Sequence, residues 1–229
     1  MRMLGIIGGI GPESTVDYYL SIIAKYRERV GDDSSPALII DSLDVRRGLR
    51  MLDQNDLPDL IDYLAASLDR LVRAGAEIGL MAANTPHIVF DELELRSPIP
   101  LISIVRATCD AAVEAAVRRP ALLGTRFTMS GRFYPAAFEN VGLSLVTPGA
   151  SEQDVIHDIY VSELLNGKFL PESRDRIARI VEALIERDSV DAVILAGTEL
   201  PLLLRETDFH LPVLDTTRIH VEAAVDAIL

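Results

Sequence analysis

The feature that most constrains this chain is a pattern that occurs twice. Glu77–His87 (EIGLMAANTPH) and Asp191–Pro201 (DAVILAGTELP) each run from an acidic residue through an apolar stretch to Ala-Ala or Ala-Gly and a polar turn. Each is followed by a proline and a second short apolar run, Pro100-Leu101-Ile102 in one case and Pro212-Val213-Leu214 in the other. The openings match as well: Ile7-Gly8 through Ser14 to Tyr18 aligns without gaps on Leu123-Gly124 through Ser130 to Tyr134. Matched blocks in the same order predict two related units, near 1–115 and 116–229. Strands are predicted at Met3–Gly8, Ala37–Asp41, Ile78–Ala83, Leu101–Ile104, Ala121–Gly124, Leu143–Val146, Ala192–Ala196 and Val213–Asp215. They are apolar throughout rather than alternating, the pattern of parallel strands covered on both faces. Amphipathic runs such as Asp59–Arg73 and Arg174–Glu186 separate them, which predicts a doubly wound α/β fold with parallel sheets.

That fold class says where to look for chemistry. In open parallel sheets, ligands sit beyond the carboxyl ends of the strands. The repeat makes Ala83 and Gly197 equivalent residues at two such ends. Two units sharing one cleft would offer one position on each side of a small substrate, the arrangement needed to take a proton from one face of a carbon and return it on the other.

Charge and residue type narrow the ligand. The net charge of −13 repels phosphate backbones and anionic lipid, so neither nucleic acid nor a membrane surface is an expected partner. Lys25 and Lys168 are the only lysines. Cys109 is the only cysteine, in an alanine-rich helical run, and reads as a packing residue. A lone cysteine permits no intrachain disulfide and points to a reducing compartment. The opening residues lack the apolar core and cleavage site of a signal peptide, and no apolar stretch approaches the roughly 20 residues that span a bilayer. The expectation is a cytoplasmic protein. His87, His157, His210 and His220 show no ligand spacing, so no metal site is expected. The chain also lacks a Gly-x-Ser-x-Gly elbow for a serine hydrolase.

Several turns carry candidate binding groups, each with a structural alternative. Gly8 to Ser14 forms a glycine-rich turn that could hold a small carboxylate on backbone N–H groups, with Gly11, Pro12 and Ser14 as its contacts. It is nearly a dinucleotide fingerprint, with Asp41 ending the next strand, but the third glycine is missing and Pro12 removes a donor. Asn84 and Thr85 could donate into a site or cap the next helix. The same choice applies to Thr125, Thr128 and Thr198. Glu199 could be a general acid or base, or a helix-start carboxylate. Arg46, Arg47 and Arg50 could clamp a carboxylate or form a solvated loop. Lys168 lies between two helical runs and could reach a ligand.

Taken together, GGIGPEST (8–15), ANTPH (83–87), GTRFTM (124–129), HDIYVSELLNGKF (157–169), AGTELPLLL (196–204) and DTTRIH (215–220) resemble the aspartate/glutamate racemase family in order and spacing. The resemblance implies two pseudo-symmetric α/β domains with a ligand cleft between them. It also implies a C-terminal helix, 216–229, that packs back on the first domain and leaves 116–215 as the second. It implies a homodimeric isomerase that uses no cofactor and no metal. Such racemases use one cysteine from each half as base and acid, and those positions are occupied here by Ala83 and Gly197. Asn84, Thr85, Thr125, Thr128, Lys168 and Thr198 match the positions that hold substrate. The expected ligand is a small acidic amino acid or related carboxylate. If the chain catalyses, non-thiol groups must do it, with Glu199 as the candidate base and His87 and Thr85 as candidate partners. The alternatives are a non-catalytic binder of the same ligands, or a chain whose cysteines were deliberately replaced. Restoring both thiols, Ala83→Cys with Gly197→Cys, is expected to give racemisation that neither substitution gives alone, provided that residue 197 tolerates a side chain.

Overall fold

The computed structural model describes all residues, 1–229. The chain divides into two units, Met1–Ile104 with His220–Leu229, and Val105–Ile219. The first contains β1 (Leu4–Gly8), α1 (Pro12–Val30), β2 (Leu38–Ser42), α2 (Val45–Asp53), α3 (Leu57–Arg73), β3 (Ile78–Met81), α4 (Phe90–Arg96) and β4 (Leu101–Ile102), with a 3-10 turn over Thr85–Val89. From α5 (Ile104–Glu114) onward come β5 (Pro120–Gly124), α6 (Arg126–Ser130), α7 (Phe133–Glu139), α8 (Ala150–Ser162), α9 (Pro171–Asp188), β6 (Ala192–Ala196), α10 (Leu200–Leu203), β7 (Val213–Asp215) and α11 (Thr216–Ile228). No helix is long and apolar enough to cross a membrane.

Each unit has its own parallel sheet, ordered β2-β1-β3-β4 in the first and β5-β6-β7 in the second. All residues of β1, β3, β5 and β6 are buried, which explains why these strands read as unbroken apolar runs. The expected strand at Leu143–Val146 forms only a bridge, Ala121 with Val146. Val146 N–H donates to Pro120 O and its carbonyl accepts from Leu122 N–H, and then Pro148 and the start of α8 turn the chain away.

The two acidic residues that open the repeats perform the same task. Glu77 Oε2 accepts the Met3 N–H at 2.8 Å, just before β1. Asp191 accepts the Arg118 and Arg119 N–H groups, both at 2.8 Å, just before β5. In each case a carboxylate preceding one central strand ties down the start of its neighbour and fixes the parallel register. Leu4 then pairs with Ile78, and Pro120 with Ala192. Tyr18 and Tyr134, equivalent in the repeat, are both fully buried.

The end of the chain completes the first core. Val221, Ala224, Val225 and Ile228 pack with Leu4, Ile6, Tyr18 and Ile22. His220 is fully buried there. Its Nε2 lies 3.0 Å from the Ile102 carbonyl and its Nδ1 lies 2.8 Å from the Tyr18 hydroxyl. A carbonyl can only accept, so Nε2 carries the proton and Nδ1 accepts from Tyr18. At the other boundary, α5 belongs with the second unit. The Cys109 thiol lies 3.6 Å from the Ala137 carbonyl, and Thr108 bonds the Tyr134 hydroxyl.

Burial pushes the His220 pKa down from 6.5 to about 4, the bond to Ile102 only partly opposing it. The unfolded chain therefore takes up a proton near pH 6.5 that the folded chain refuses until about pH 4. This contribution to stability is complete above pH 6.5 and is lost as pH falls through that window, by on the order of 3 kcal/mol. Urea unfolding at pH 7, 5.5 and 4.5 is expected to show a shallower loss of stability for His220→Gln than for the unmodified chain. Equal slopes would show that His220 titrates alike in both states.

Candidate active site

The parallel register places Ala83 and Gly197 in matching positions of their own sheets. Ile7 pairs with Met81 and Gly124 with Ala196, so Ala82 and Ala196 close the two ladders and the next residue begins each turn. Neither position carries a polar side chain. Both are buried.

In the first unit, the glycine-rich turn is largely satisfied from within. Thr15 Oγ1 accepts the Gly9 N–H and donates to the Gly11 carbonyl, both at 2.8 Å. The Ser14 hydroxyl, fully buried, lies 3.0 Å from the Gly11 carbonyl and 3.4 Å from that of Ala82. Gly9 has φ 73°, and a Cβ there would lie 2.3 Å from the Leu43 carbonyl, so the turn requires glycine. Gly11 precedes α1 with φ 137°, and Pro12 is exposed in its first turn. Asp41 is committed elsewhere. Arg70 grips it through Nε at 3.0 Å and Nη2 at 2.7 Å, and Ser67 adds a third bond. The Arg70 guanidinium holds the Asp41 carboxyl below its ordinary value. Asp41 is thus not presented to a ribose, which removes the second element of the dinucleotide fingerprint. Of the arginines on α2, Arg47 lies over the Tyr63 ring, 4.5 Å from its centroid.

Asn84 is buried and Thr85 half-buried in the turn after β3. His87 folds back over this turn, with Nδ1 3.0 Å from the Ala83 carbonyl. Its Nε2 accepts the Ile104 N–H at 3.3 Å. These partners set the tautomer with the proton on Nδ1, and both ring nitrogens serve the backbone. The ring also stacks on Phe90 at 4.9 Å. His87 therefore acts on the position and shape of the Ala83 turn, and proton transfer by it would break one of these bonds.

In the second unit, Thr125 caps α6 by accepting the Thr128 N–H at 3.3 Å, and its hydroxyl lies 3.2 Å from that of Thr128. Both are buried. Lys168 is exposed after a 3-10 turn, where its N–H donates to the Glu163 carbonyl and its ammonium makes no ion pair. Thr216 donates to the Leu195 carbonyl at 2.8 Å. The neighbouring Thr217 hydroxyl is buried without a hydrogen-bond partner, at the carboxyl end of β7. Such a group is open to a ligand. Cys109 is buried in α5, and desolvation, with a smaller effect of Asp110, pushes its thiol pKa up. That is the opposite of an activated nucleophile.

The end of β6 carries a buried polar cluster. Thr198 and Glu199 are buried, and Thr198 donates to Glu199 Oε2 at 3.1 Å. The Tyr160 hydroxyl donates a hydrogen bond to the same oxygen. Tyr160 arrives from α8, whose Ile156, Ile159, Tyr160 and, one turn on, Leu164 follow helical spacing and pack in one core with Leu123 and Leu195. Gly197 does not have a positive φ. What excludes a side chain is Tyr160: a Cβ on Gly197 would lie 2.5 Å from ring carbon Cε2 and 3.2 Å from the hydroxyl oxygen. The phenol occupies the space that a side chain at 197 would fill. Sequence reasoning passed over Tyr160 and Thr217, although both lie inside the motifs that carry the resemblance.

The model of the Asp/Glu/hydantoin racemase family matches residues 7–224. The chain belongs to this family. Among curated proteins, it is 23% identical to the broad specificity amino-acid racemase RacX of Bacillus subtilis (strain 168), over 99% of this chain and 98% of that one. Among crystal structures, it is similar to a candidate Asp/Glu racemase from Yersinia pestis at 33% identity and TM-score 0.88. That match covers 100% of this chain and 99% of the other. An aspartate racemase homologue from Pyrococcus horikoshii OT3 matches at 34% identity and TM-score 0.84, again over 100% and 99%. This member of the Asp/Glu/hydantoin racemase family thus keeps the α/β architecture with alanine and glycine at the two strand ends.

The orphan hydroxyl gives a direct test of whether Thr217 belongs to a binding surface. With no internal partner to lose, Thr217→Val is expected to leave the ligand-free melting temperature unchanged or raised, and to weaken binding of the protein's ligand. A clear drop in ligand-free stability would mean that the hydroxyl is satisfied inside the fold.

Proposed function

We propose that this chain binds a small acidic amino acid or a related carboxylate, and that it does not racemise it by a two-thiol route. The observation that carries the reading is the absence of any thiol at the two matched strand ends, where Ala83 and Gly197 stand, with the one cysteine buried in α5. Family membership supports an amino-acid ligand. So does the name of the Bacillus subtilis relative, a broad specificity amino-acid racemase. The acidic ligand class is supported by the polar groups around the strand ends: Gly11 and Ser14 in the glycine-rich turn, Asn84 and Thr85 after β3, Thr125 and Thr128 after β5, and Thr198 after β6. Lys168 adds an exposed positive charge to a strongly acidic protein. No metal or nucleotide enters this scheme, and no three His, Cys, Asp or Glu side chains converge as a metal site would require. We further place the protein in the cytoplasm as a homodimer.

Racemisation needs a proton acceptor on one face of Cα and a donor on the other. Ala83 can be neither, and His87 beside it has both nitrogens bound to backbone. Chemistry is therefore limited to whatever the second unit supplies, and net inversion is not expected. A non-catalytic binder of the same ligands is the second reading, favoured by the same missing thiols.

Calorimetric titration with L- and D-aspartate and L- and D-glutamate, without added metal or nucleotide, is expected to show binding. Lys168→Ala should weaken it by roughly 1.5–3 kcal/mol if the ammonium makes a charged hydrogen bond. Binding of nucleotides but of no carboxylate would contradict the reading. Racemisation by the unmodified protein at an ordinary enzymatic rate would contradict the restriction on its chemistry.

A further inference from the structure

Tyr160, Glu199 and Thr198 form a buried, hydrogen-bonded polar cluster beside the apolar core of the second unit. A structural role alone leaves three features unexplained. First, the cluster stands at the carboxyl end of β6, the middle strand of its sheet, where α/β folds place ligands. Second, its phenol reaches there only because residue 197 has no side chain. The hydroxyl oxygen lies 3.2 Å from the point where a side chain at 197 would begin. Third, the cluster has the parts of a proton relay. The phenol donates to a carboxylate oxygen of Glu199, and the Thr198 hydroxyl donates to that same oxygen.

We propose that Tyr160, hydrogen-bonded to Glu199, is the proton-transfer group at the end of β6 and exchanges the Cα proton of a bound acidic amino acid on one face only. The proposal rests on the acidic-ligand reading given above. In the forward step the Cα proton passes to the phenol oxygen, and the C–H electron pair stays on the substrate carbon as a carbanion. At the same time the phenol's own proton passes to Glu199, whose carboxylate becomes a carboxylic acid. Reversal redelivers a proton to the same face. The enantiomer is therefore retained, and in heavy water it acquires deuterium after Glu199 or Tyr160 has exchanged with solvent. Burial and the charge of Glu199 keep the phenol protonated at rest.

Proton NMR of L- and D-aspartate and L- and D-glutamate in deuterated buffer tests this, with calorimetric binding of the same ligands measured in parallel. The unmodified protein is expected to exchange Cα–H of one enantiomer without forming the other. Tyr160→Phe should slow exchange at least ~100-fold while affinity changes by no more than a few-fold. If circular dichroism shows that Tyr160→Phe fails to fold, Glu199→Gln, which keeps the shape but cannot take the proton, decides with the same expected loss. Binding without exchange by the unmodified protein, or exchange undiminished in a folded variant, overturns the assignment to Tyr160 and leaves the ligand class standing. Absence of binding by every variant overturns the acidic-ligand reading itself, and this proposal with it.

Discussion

Two carboxylates hold the register of this molecule. Glu77 and Asp191 each stand one residue before a central strand and accept backbone N–H groups at the start of the strand beside it. Parallel pairs have no hairpin turn to set their alignment, so something outside the ladder must do it. With these anchors in place, β3 runs level with β1, and β6 with β5, and the strand ends at Ala83 and Gly197 fall in corresponding places. A one-residue slip in either sheet would bury the wrong turn and move every polar group that follows.

Identical register has produced different surroundings. After β3 the turn is closed by His87, which binds the Ala83 carbonyl and the Ile104 N–H. After β6 the turn is filled from α8, by the Tyr160 ring over Gly197. The two ends therefore have unequal capacities for chemistry. One has an alanine under a histidine whose nitrogens are both occupied, and the other has a glycine beside a phenol–carboxylate pair. Proton transfer confined to the second end follows from that inequality. It also changes what restoring a thiol at 197 requires: the backbone there permits a side chain, but the ring stands where it would go.

Much of the fold was legible in the sequence because buried parallel strands leave an unmistakable apolar signature. Leu4–Gly8, Leu38–Ser42, Ile78–Met81, Pro120–Gly124 and Ala192–Ala196 all lie within two residues of where their runs suggest. Leu143–Val146 has a similar run but forms a single bridge, since pairing depends on neighbours that composition does not reveal. Local turn chemistry was readable as a choice between capping and binding. Thr125 does cap its helix, by accepting the Thr128 N–H, whereas Asn84 makes no side-chain cap bond. Tyr160 could not be read. Its partner Glu199 is 39 positions away, and the residue that makes room for its ring is visible in the sequence only as a missing side chain. His87 looked like a candidate acid or base for a related reason, because the Ile104 N–H that occupies its Nε2 is 17 positions distant.

The central claim is that an empty position at 197 and the Tyr160 phenol are one packing unit. A double-mutant cycle in urea unfolding, Gly197→Ala against Tyr160→Leu, measures this directly. Leucine keeps an apolar side chain in the core but withdraws the ring atoms that a Cβ at 197 would meet. In the unmodified background Gly197→Ala should cost roughly 1–3 kcal/mol, because the ring is buried and held by Glu199 and cannot yield cheaply. In the Tyr160→Leu background the same substitution should cost little or be favourable, giving a coupling of about 1 kcal/mol or more. Additive effects, with Gly197→Ala equally harmful or equally harmless in both backgrounds, would contradict it.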